Sequence, residues 1–306
     1  MILVAGEALI DLVVSFDGSI EAHPGGAPFN VCSTIARLER QAAFLGALST
    51  DRFGTKLGSA LASEGVDLSA VVTVNRPTTL ALAELDESGA ATYRFYAHGT
   101  SAPAVDEAAA AAALQLAPTA VHVGTLGLVL EPLATATKTL VDGVDGDVLV
   151  FLDPNCRPTV TTDRGRYLET VAQCARRADV IKVSDEDLVF LVPGGDAVRA
   201  TRSLLRPGAV GLVTRGADGV TIVTSDQTVD ISAPQVAVVD TVGAGDSFGG
   251  AFLAYWDEYG LGREDVEDLE RVIDGVRFGV RVAAMICERA GANPPRRSEV
   301  EARVMS

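Results

Sequence analysis

Short apolar runs alternate with segments of helical periodicity from residue 104 onward, and this rhythm constrains the fold more than any other feature of the chain. Strands joined through helices lie parallel in one sheet, and the helices cover both of its faces. The sequence therefore predicts an α/β fold built on a doubly wound, mainly parallel sheet. The predicted elements are, in order, strand 120–124, helix 131–142, strand 147–152, helix 165–178, strand 179–183, helices 185–192 and 196–205, and strand 209–214.

Both ends of the chain add strands to this core. Residues 2–6 are a short apolar run closed by a glycine, which predicts a buried strand at the start of the domain. In the C-terminal third, residues 219–224 and 228–232 predict an antiparallel hairpin, and residues 236–239 predict a last strand. This last strand would lead through the loop 240–246 into a helix.

The segment 71–97 has a different character from the rest of the chain. Its β-rich runs flank a turn signal at Asp86–Gly89, and with residues 12–20 they predict a small sheet outside the main layer. We expect the segments 12–22 and 71–98 to act as a lid over a site, within a single domain that spans residues 1–306. The edge strands of such a lid favour a homodimer formed through it.

Charge and cysteine content exclude several classes of function. The 25 basic and 41 acidic side chains give a net charge of −16, so the surface repels polyanions and nucleic acid is not an expected partner. The four cysteines form no CxxC pair, which argues against a zinc site and a secreted disulfide framework. The chain also lacks a signal-like start and an apolar run of about 18 residues, so we expect a cytoplasmic protein without a membrane partner.

The strongest local signal for chemistry is the loop Asp240–Asp246, with the sequence DTVGAGD. Its two glycines allow a tight turn, after which the free N–H groups at the start of a helix attract an anion. An alcohol held there could give its proton to Asp246 while attacking a phosphorus whose oxygens rest on the amides of residues 243–245. An ordinary tight turn with an acidic residue in the first helical turn would explain the loop alone equally well.

Three other sites support the chemical interpretation, because each also lies near a strand end or a helix start. The segment Gly25–Asn30 (GGAPFN) places a second glycine pair before a helix, and Asp11 follows the first predicted strand. Asp153–Arg157 (DPNCR) comes after another strand and supplies an arginine that could reach phosphate. Ligands of open α/β sheets bind beyond the carboxyl ends of the strands, so we expect these segments to meet there.

Competing motifs fit the sequence less well. Residues 245–249 match G-x-S-x-G with Ser247 as a nucleophile, but that motif needs a later histidine, and His23, His98 and His122 all precede it. The spacing of the glycines around residue 245 also differs from G-x-G-x-x-G, and no P-loop motif occurs.

These residues resemble the ribokinase, or phosphofructokinase-B, family of sugar kinases. Gly25–Asn30 is similar to the first signature of that family, and Asp240–Gly250 (DTVGAGDSFGG) matches the second closely. The resemblance extends from Gly6 to Pro294 and implies a ribokinase-like core with a small β lid. The family usually has Asn-x-x-Glu where this chain has Ser184–Asp187 (SDED).

The resemblance also implies roles for individual residues. The catalytic residues would be Asp246 as the base and Gly243, Ala244 and Gly245 as the anion site. The sugar would be bound by Asp11, Gly25, Gly26 and Asn30. Arg94 and Arg157 are further candidates for substrate contacts from their own positions in the chain, although fructokinase-like members often have an arginine near Ala97, where this chain differs. The nucleotide would be bound by Ser184, Thr214, Gly216 and Gly219. Asp187 would hold Mg²⁺ through water, and Asp240 and Val242 would offer carbonyls to a monovalent cation such as K⁺.

The activity implied is ATP-dependent and Mg²⁺-requiring phosphorylation of a primary hydroxyl of a small sugar. D-Fructose is the favoured substrate, since GGAPFN and VHVGTLGL (121–128) resemble bacterial fructokinases. A 2-keto-3-deoxygluconate kinase is an alternative if Arg94 and Arg157 converge, and a ribokinase or nucleoside kinase is another. A non-catalytic sugar-binding relative is the alternative from a different class.

Overall fold

The computed structural model describes residues 1–87 and 91–304. Its strands are β1 (Ile2–Ala5), β2 (Leu9–Val14), β3 (Ile20–Gly25), β4 (Ala42–Leu45), β5 (Ala47–Ser49), β6 (Val72–Val74), β7 (Leu80–Leu85), β8 (Ala91–Tyr96), β9 (Ala120–Gly124), β10 (Leu149–Asp153), β11 (Val180–Ser184), β12 (Val210–Thr214), β13 (Val220–Val223) and β14 (Thr228–Ile231). Its helices are α1 (Ala27–Arg37), α2 (Arg52–Ser63), α3 (Glu107–Ala113), α4 (Leu133–Gly143), α5 (Arg164–Ala175), α6 (Asp185–Leu191), α7 (Ala197–Leu204), α8 (Ala244–Glu258), α9 (Leu269–Cys287) and α10 (Arg297–Val304).

The main sheet is parallel except at one edge, where the hairpin β13–β14 adds two antiparallel strands. The strand order is β14-β13-β12-β11-β10-β9-β1-β4. Strand β1 therefore lies between β9 and β4, inside the sheet. All four of its residues are buried, which explains why each is apolar. The predicted mainly parallel α/β sheet is confirmed.

Helices cover both faces of this sheet. Successive side chains of a strand point to opposite faces, so the residues of β1 contribute alternately to two cores. Ile2 and Val4 pack with apolar residues of α1, α2, α8 and α9, whereas Leu3 and Ala5 share a core with residues of α3 to α7. Within the described part of the chain, no helix is both long and apolar enough to cross a membrane.

A second sheet, which we call the lid, has the strand order β3-β2-β7-β8. Strand β2 follows β1 after only three residues, Gly6–Ala8, so the lid is joined directly to the strand next to the β4 edge of the main sheet. The predicted small separate sheet is confirmed. Residues 88–90, at the tip of the predicted hairpin turn, lie outside the described residues.

Two details of the predicted strand pattern are wrong. Val72–Val74 does not join the lid but pairs in parallel with β5, because β5 offers a free edge and the two valines pack half-buried against the core beneath it. Residues 236–239 form no strand. The amides of Val239 and Asp240 instead donate to the carbonyl of Cys287 at the end of α9, which leaves no ladder to a neighbouring strand.

Candidate active site

The start of helix α8 provides amide donors that the chain itself leaves unused. Gly243 caps the helix in a left-handed conformation (φ 76°), which glycine adopts without strain. The amide of Ala244 donates to the carbonyl of Thr241 at 3.2 Å. Within residues 1–87 and 91–304, the amides of Gly243, Gly245 and Asp246 have no acceptor. Free amides at a helix start favour anion binding. The sequence predicts the amides of residues 243–245 for this role; the structure uses that of Ala244 within the loop and, among the described residues, leaves that of Asp246 free in its place.

Asp246 lies in the first turn of α8 and is held by a residue from the opposite end of the chain. The side-chain amide of Asn30 donates to its Oδ2 at 2.8 Å, and only 8% of Asp246 is exposed. Helices α1 and α8 approach closely, since a Cβ at Gly250 would lie 2.8 Å from the Cβ of Thr34. The structure therefore brings the segments Gly25–Asn30 and Asp240–Gly250 together in one site.

Asp11 faces this site from the lid. It lies on β2 opposite His23, and its carboxylate rests against Gly25, where a Cβ would be 1.9 Å from Oδ2. Burial and the charge of Asp246 raise the pKa of Asp11 to about 6, against the opposing effect of His23 and Arg157. Gly26 caps the start of α1, so the glycine pair separates the lid from the helix that carries Asn30.

Arg157 and Arg94 lie in different surroundings. The charge of Arg157 acts on both Glu7 and Asp11, which places this guanidinium beside the site. Arg94 is paired across the lid with Leu82, on the face opposite to the one shared by Asp11 and Ala81. Its Nε donates to Glu84 at 2.9 Å, and 64% of its side chain is exposed. The structure brings Arg157 to the site but does not bring Arg94 there.

A buried ion pair lies behind the start of α8. The Nζ of Lys182 on β11 donates to Oδ2 of Asp153 at the end of β10, at 2.7 Å. Burial acts to lower the pKa of Lys182, but the attraction of Asp153 and nearby carboxylates outweighs it and raises that pKa. Burial raises the pKa of Asp153, and Lys182 opposes this effect.

Sequence reasoning missed Glu7 and Lys182 as site residues. Glu7 follows β1 after Gly6, is 1% exposed, and has no partner for Oε2 among the described residues. Burial raises the pKa of Glu7 to about 8. The signal that could have found both residues is a charged side chain within or directly after an apolar strand.

The nucleotide and magnesium candidates lie at the ends of β11 and β12. Ser184 and Asp187 form a capping box at the start of α6. Asp187 accepts hydrogen bonds from the amide and hydroxyl of Ser184 (2.8 and 2.7 Å) and from the amide of Cys156 (2.6 Å). A carboxylate has about four lone-pair sites, so one remains for a water-mediated contact with a metal.

The turn after β12 brings together Thr214, Gly216 and Gly219. The amide of Arg215 donates to the carbonyl of Gly219 at 2.8 Å and closes this turn. A Cβ at Gly219 would lie 2.0 Å from the carbonyl oxygen of Ile231, so only glycine fits there. Within the described residues, no group of three His, Cys, Asp or Glu side chains could hold a metal ion by itself.

The predicted monovalent-cation loop is held in place by its own side chain. Asp240 accepts hydrogen bonds from the amide of Val242 at 3.0 Å and from the amide of Gly291 at 2.8 Å. The carbonyls of Asp240 and Val242 thus belong to a loop fixed against the segment that follows α9.

The hydrolase interpretation has no geometric basis. Ser247 is fully buried, and its hydroxyl accepts a hydrogen bond from Thr34 at 3.3 Å. His122 is also buried, and burial lowers its pKa to about 3. It stacks on Phe151 (5.4 Å between ring centroids).

Comparison with known proteins decides the family. Residues 1–299 match the family described as "pfkB family carbohydrate kinase". The chain belongs to this family. It is a sugar kinase, an enzyme that transfers phosphate to a hydroxyl, and the resemblance identified from the two signatures is confirmed.

Several fructokinases resemble the chain over most of its length. A fructokinase of Rhizobium leguminosarum bv. trifolii is 34% identical over 259 residues, which are 83% of this chain and 79% of the relative. The structure of a fructokinase from Xylella fastidiosa with bound ATP is similar with a TM-score of 0.90 and 27% identity, covering 99% of this chain and 98% of the other. A double mutant of a Vibrio cholerae O395 fructokinase, in a form with fructose, ADP and potassium ion, gives a TM-score of 0.85 at 25% identity over 98% and 97% of the two chains.

Proposed function

We propose that this sugar kinase phosphorylates a primary hydroxyl of D-fructose with ATP as the donor. One observation carries the proposal: the buried carboxylate of Asp246, held by Asn30, lies beside three unused amides at the start of α8. The names of the similar proteins, which are fructokinases, support fructose as the acceptor.

In the proposed reaction, Asp11 and Asn30 bind sugar hydroxyls, and Gly25 and Gly26 let the sugar approach the backbone closely. Asp246 accepts the proton of the attacking sugar hydroxyl while the oxygen of that hydroxyl bonds to the γ-phosphorus of ATP. The bond from that phosphorus to the bridging oxygen breaks, and ADP leaves. The amides of Gly243, Gly245 and Asp246 stabilise negative charge on the transferring group, so most of the acceleration comes from positioning and electrostatics.

The residues also fit the nucleotide and the two cations. Ser184, Thr214, Gly216 and Gly219 would bind the nucleotide at the ends of β11 and β12. Asp187, with one acceptor site left, would hold Mg²⁺ through water, which suits an ion that keeps several of its waters. The carbonyls of Asp240 and Val242 would bind K⁺. When bound, these cations neutralise phosphate charge. Omission of potassium should lower turnover, which tests the K⁺ site at Asp240 and Val242.

Alternative sugars are distinguished by the arginines. A 2-keto-3-deoxygluconate kinase would use Arg94 and Arg157 together for the acid, but Arg94 faces away from Asp11. A ribokinase or nucleoside kinase remains the alternative within the family. A non-catalytic relative is disfavoured because Asp246 is present and oriented.

We further propose a homodimer formed through the lid of this single 1–306 domain. The face of the lid away from Asp11 carries half-buried Leu12 and Leu82, together with Ile20 (65% exposed) and Tyr96 (54% exposed). An Ile20→Asp variant should shift sedimentation from dimer to monomer. Fractionation tests the expected cytoplasmic location.

A coupled assay of ADP release tests the activity, with fructose, ribose, 2-keto-3-deoxygluconate, a nucleoside and fructose 6-phosphate as acceptors. Fructose should give the highest kcat/KM. Asp246→Asn should retain sugar and nucleotide binding but lose at least ~100-fold in kcat, the scale of a proton-transfer residue. Asp147→Asn, on an exposed loop, is the matched control. A near-normal kcat for Asp246→Asn would remove this residue from its proposed role.

A further inference from the structure

Lys182 is an unusual residue in this chain. Of the 25 lysine and arginine side chains, three are lysine: Lys56, Lys138 and Lys182. Lys56 is exposed and Lys138 is half-buried, whereas Lys182 is 4% exposed. Burial of an ammonium costs free energy unless another group compensates for it. A chain that otherwise relies on arginine thus places a lysine at its most buried basic position.

The ammonium of Lys182 lies directly against the anion site. A Cβ built on Gly245 would be 3.4 Å from Nζ and 3.6 Å from Cε. Gly245 is one of the residues whose amide has no acceptor within the described parts of the chain. A compact ammonium fits against this backbone, whereas the wide planar guanidinium of an arginine would press on it.

The groups around Lys182 are mostly acidic. Asp153, Asp187 and Asp246 all act electrostatically on it, and His122, on β9, is a further titratable neighbour. Asp153 uses only Oδ2 for the lysine, and its Oδ1 is buried with no partner in the described residues. If the ion pair served stability alone, a buried, half-satisfied carboxylate would be a costly way to achieve it. The arrangement instead fixes one positive charge behind the amides of α8.

We propose that Lys182 is a positioning residue for phosphoryl transfer, whose ammonium, anchored by Asp153, supplies fixed positive charge behind Gly245 at the start of α8. This inference rests on the proposed function. The charge stabilises the transferring phosphoryl group through the backbone, and no covalent step involves the lysine. Preorganised charge of this kind is most effective where water is excluded.

The test removes Lys182 from a variant, Asp153→Asn, in which residue 153 no longer carries a negative charge for the lysine to neutralise. Asp153→Asn alone is compared with Lys182→Met/Asp153→Asn, and Lys138→Met in α4 is the control. We expect the double variant to lose at least ~10-fold in kcat relative to Asp153→Asn, less than the ~10²–10³ that follows loss of a direct donor. Inhibition by ADP with aluminium fluoride should weaken by a similar factor. The Kd for fructose should change by less than about twofold, because the proposed charge acts on the transition state and not on binding of the sugar in the ground state.

Each result supports or overturns the inference. If Lys182 only neutralises Asp153, its removal from the Asp153→Asn background changes neither kcat nor inhibition by the analogue, and the inference is wrong. Equal losses in fructose binding and kcat would indicate a general structural role and would also overturn it. Lys182→Arg should not restore kcat. A wild-type chain that phosphorylates no sugar contradicts the proposed function, whereas an active wild type with a fully active double variant contradicts only this inference.

Discussion

Because Gly25 contacts Asp11, a single added methyl group at Gly25 should displace the carboxylate of Asp11, the proposed sugar ligand. A Cβ at Gly25 would lie 1.9 Å from Oδ2 and 2.9 Å from Cγ of Asp11, and no other residue supplies an atom among the three nearest. Ordinary contact begins near 3.4 Å, so in Gly25→Ala the carboxylate must move by about 1.5 Å. Gly25 has no left-handed backbone angle, so alanine itself brings no strain there.

We expect Gly25→Ala to lower kcat/KM for fructose by about 100-fold, because a misplacement of about 1 Å costs roughly this factor. A factor of 100 corresponds to about 2.7 kcal/mol of transition-state stabilisation. The KM for ATP should change by less than about twofold, since its proposed site lies at the start of α8 and the ends of β11 and β12. Gly146→Ala is the matched control, because a Cβ there meets nothing within 4 Å.

A double-mutant cycle tests the cause of the loss. If Gly25→Ala acts only by displacing the Asp11 carboxylate, it should cost almost nothing further in an Asp11→Ala background, and the two effects should be far from additive. The coupled ADP-release assay measures all four proteins. Additive losses, or a wild-type kcat/KM for Gly25→Ala, would refute the assignment of Asp11 as a sugar ligand.

Two other predictions concern carboxylates. Because the pKa of Asp11 is raised to about 6, its carboxylate gains a proton and loses acceptor capacity as the pH falls through this value. The KM for fructose should therefore rise below pH 6. In Asp11→Asn, which has no such carboxylate, the KM should depend less on pH. Asp179 is fully buried at the opposite end of β11, where Arg177, Arg206 and Arg263 all bind it. Asp179→Ala should lose about 3 kcal/mol in urea unfolding, as when a buried ion pair is broken, and a variant with unchanged unfolding would contradict the role of this cluster.

Apolar runs predicted the main sheet because strands buried on both faces are nearly continuous in apolar residues, as Ile2–Ala5 is. The last predicted strand was wrong because Val238 and Val239 have strand-like composition, but the amides of Val239 and Asp240 donate to the carbonyl of Cys287 at the end of α9. The amino-acid composition of a segment shows its intrinsic preference for a strand, but a strand forms only where a neighbouring strand offers an unpaired edge. No local pattern shows where such an edge is.

Residues of the site were predictable where they lie in a glycine-rich turn or at a helix start. The Asn30–Asp246 hydrogen bond joins residues 216 positions apart, and the two signatures indicated both of its ends. The position of Arg94 was not predictable, since its face depends on the register between β7 and β8. Glu7 and Lys182 were missed because a charge inside an apolar run has no visible partner until the strands are assembled.

The close crossing of α1 and α8 has a consequence for changing this enzyme in the laboratory. In the proposed site, loops from the first third of the chain surround the acceptor, while the proposed phosphate-binding turn belongs to the last quarter, and the contact of Thr34 with Gly250 fixes the spacing between them. Libraries aimed at a new acceptor can therefore vary the lid face around Asp11 and leave this crossing untouched. Randomising either residue of the crossing would instead shift donor and acceptor relative to each other, whatever the sugar.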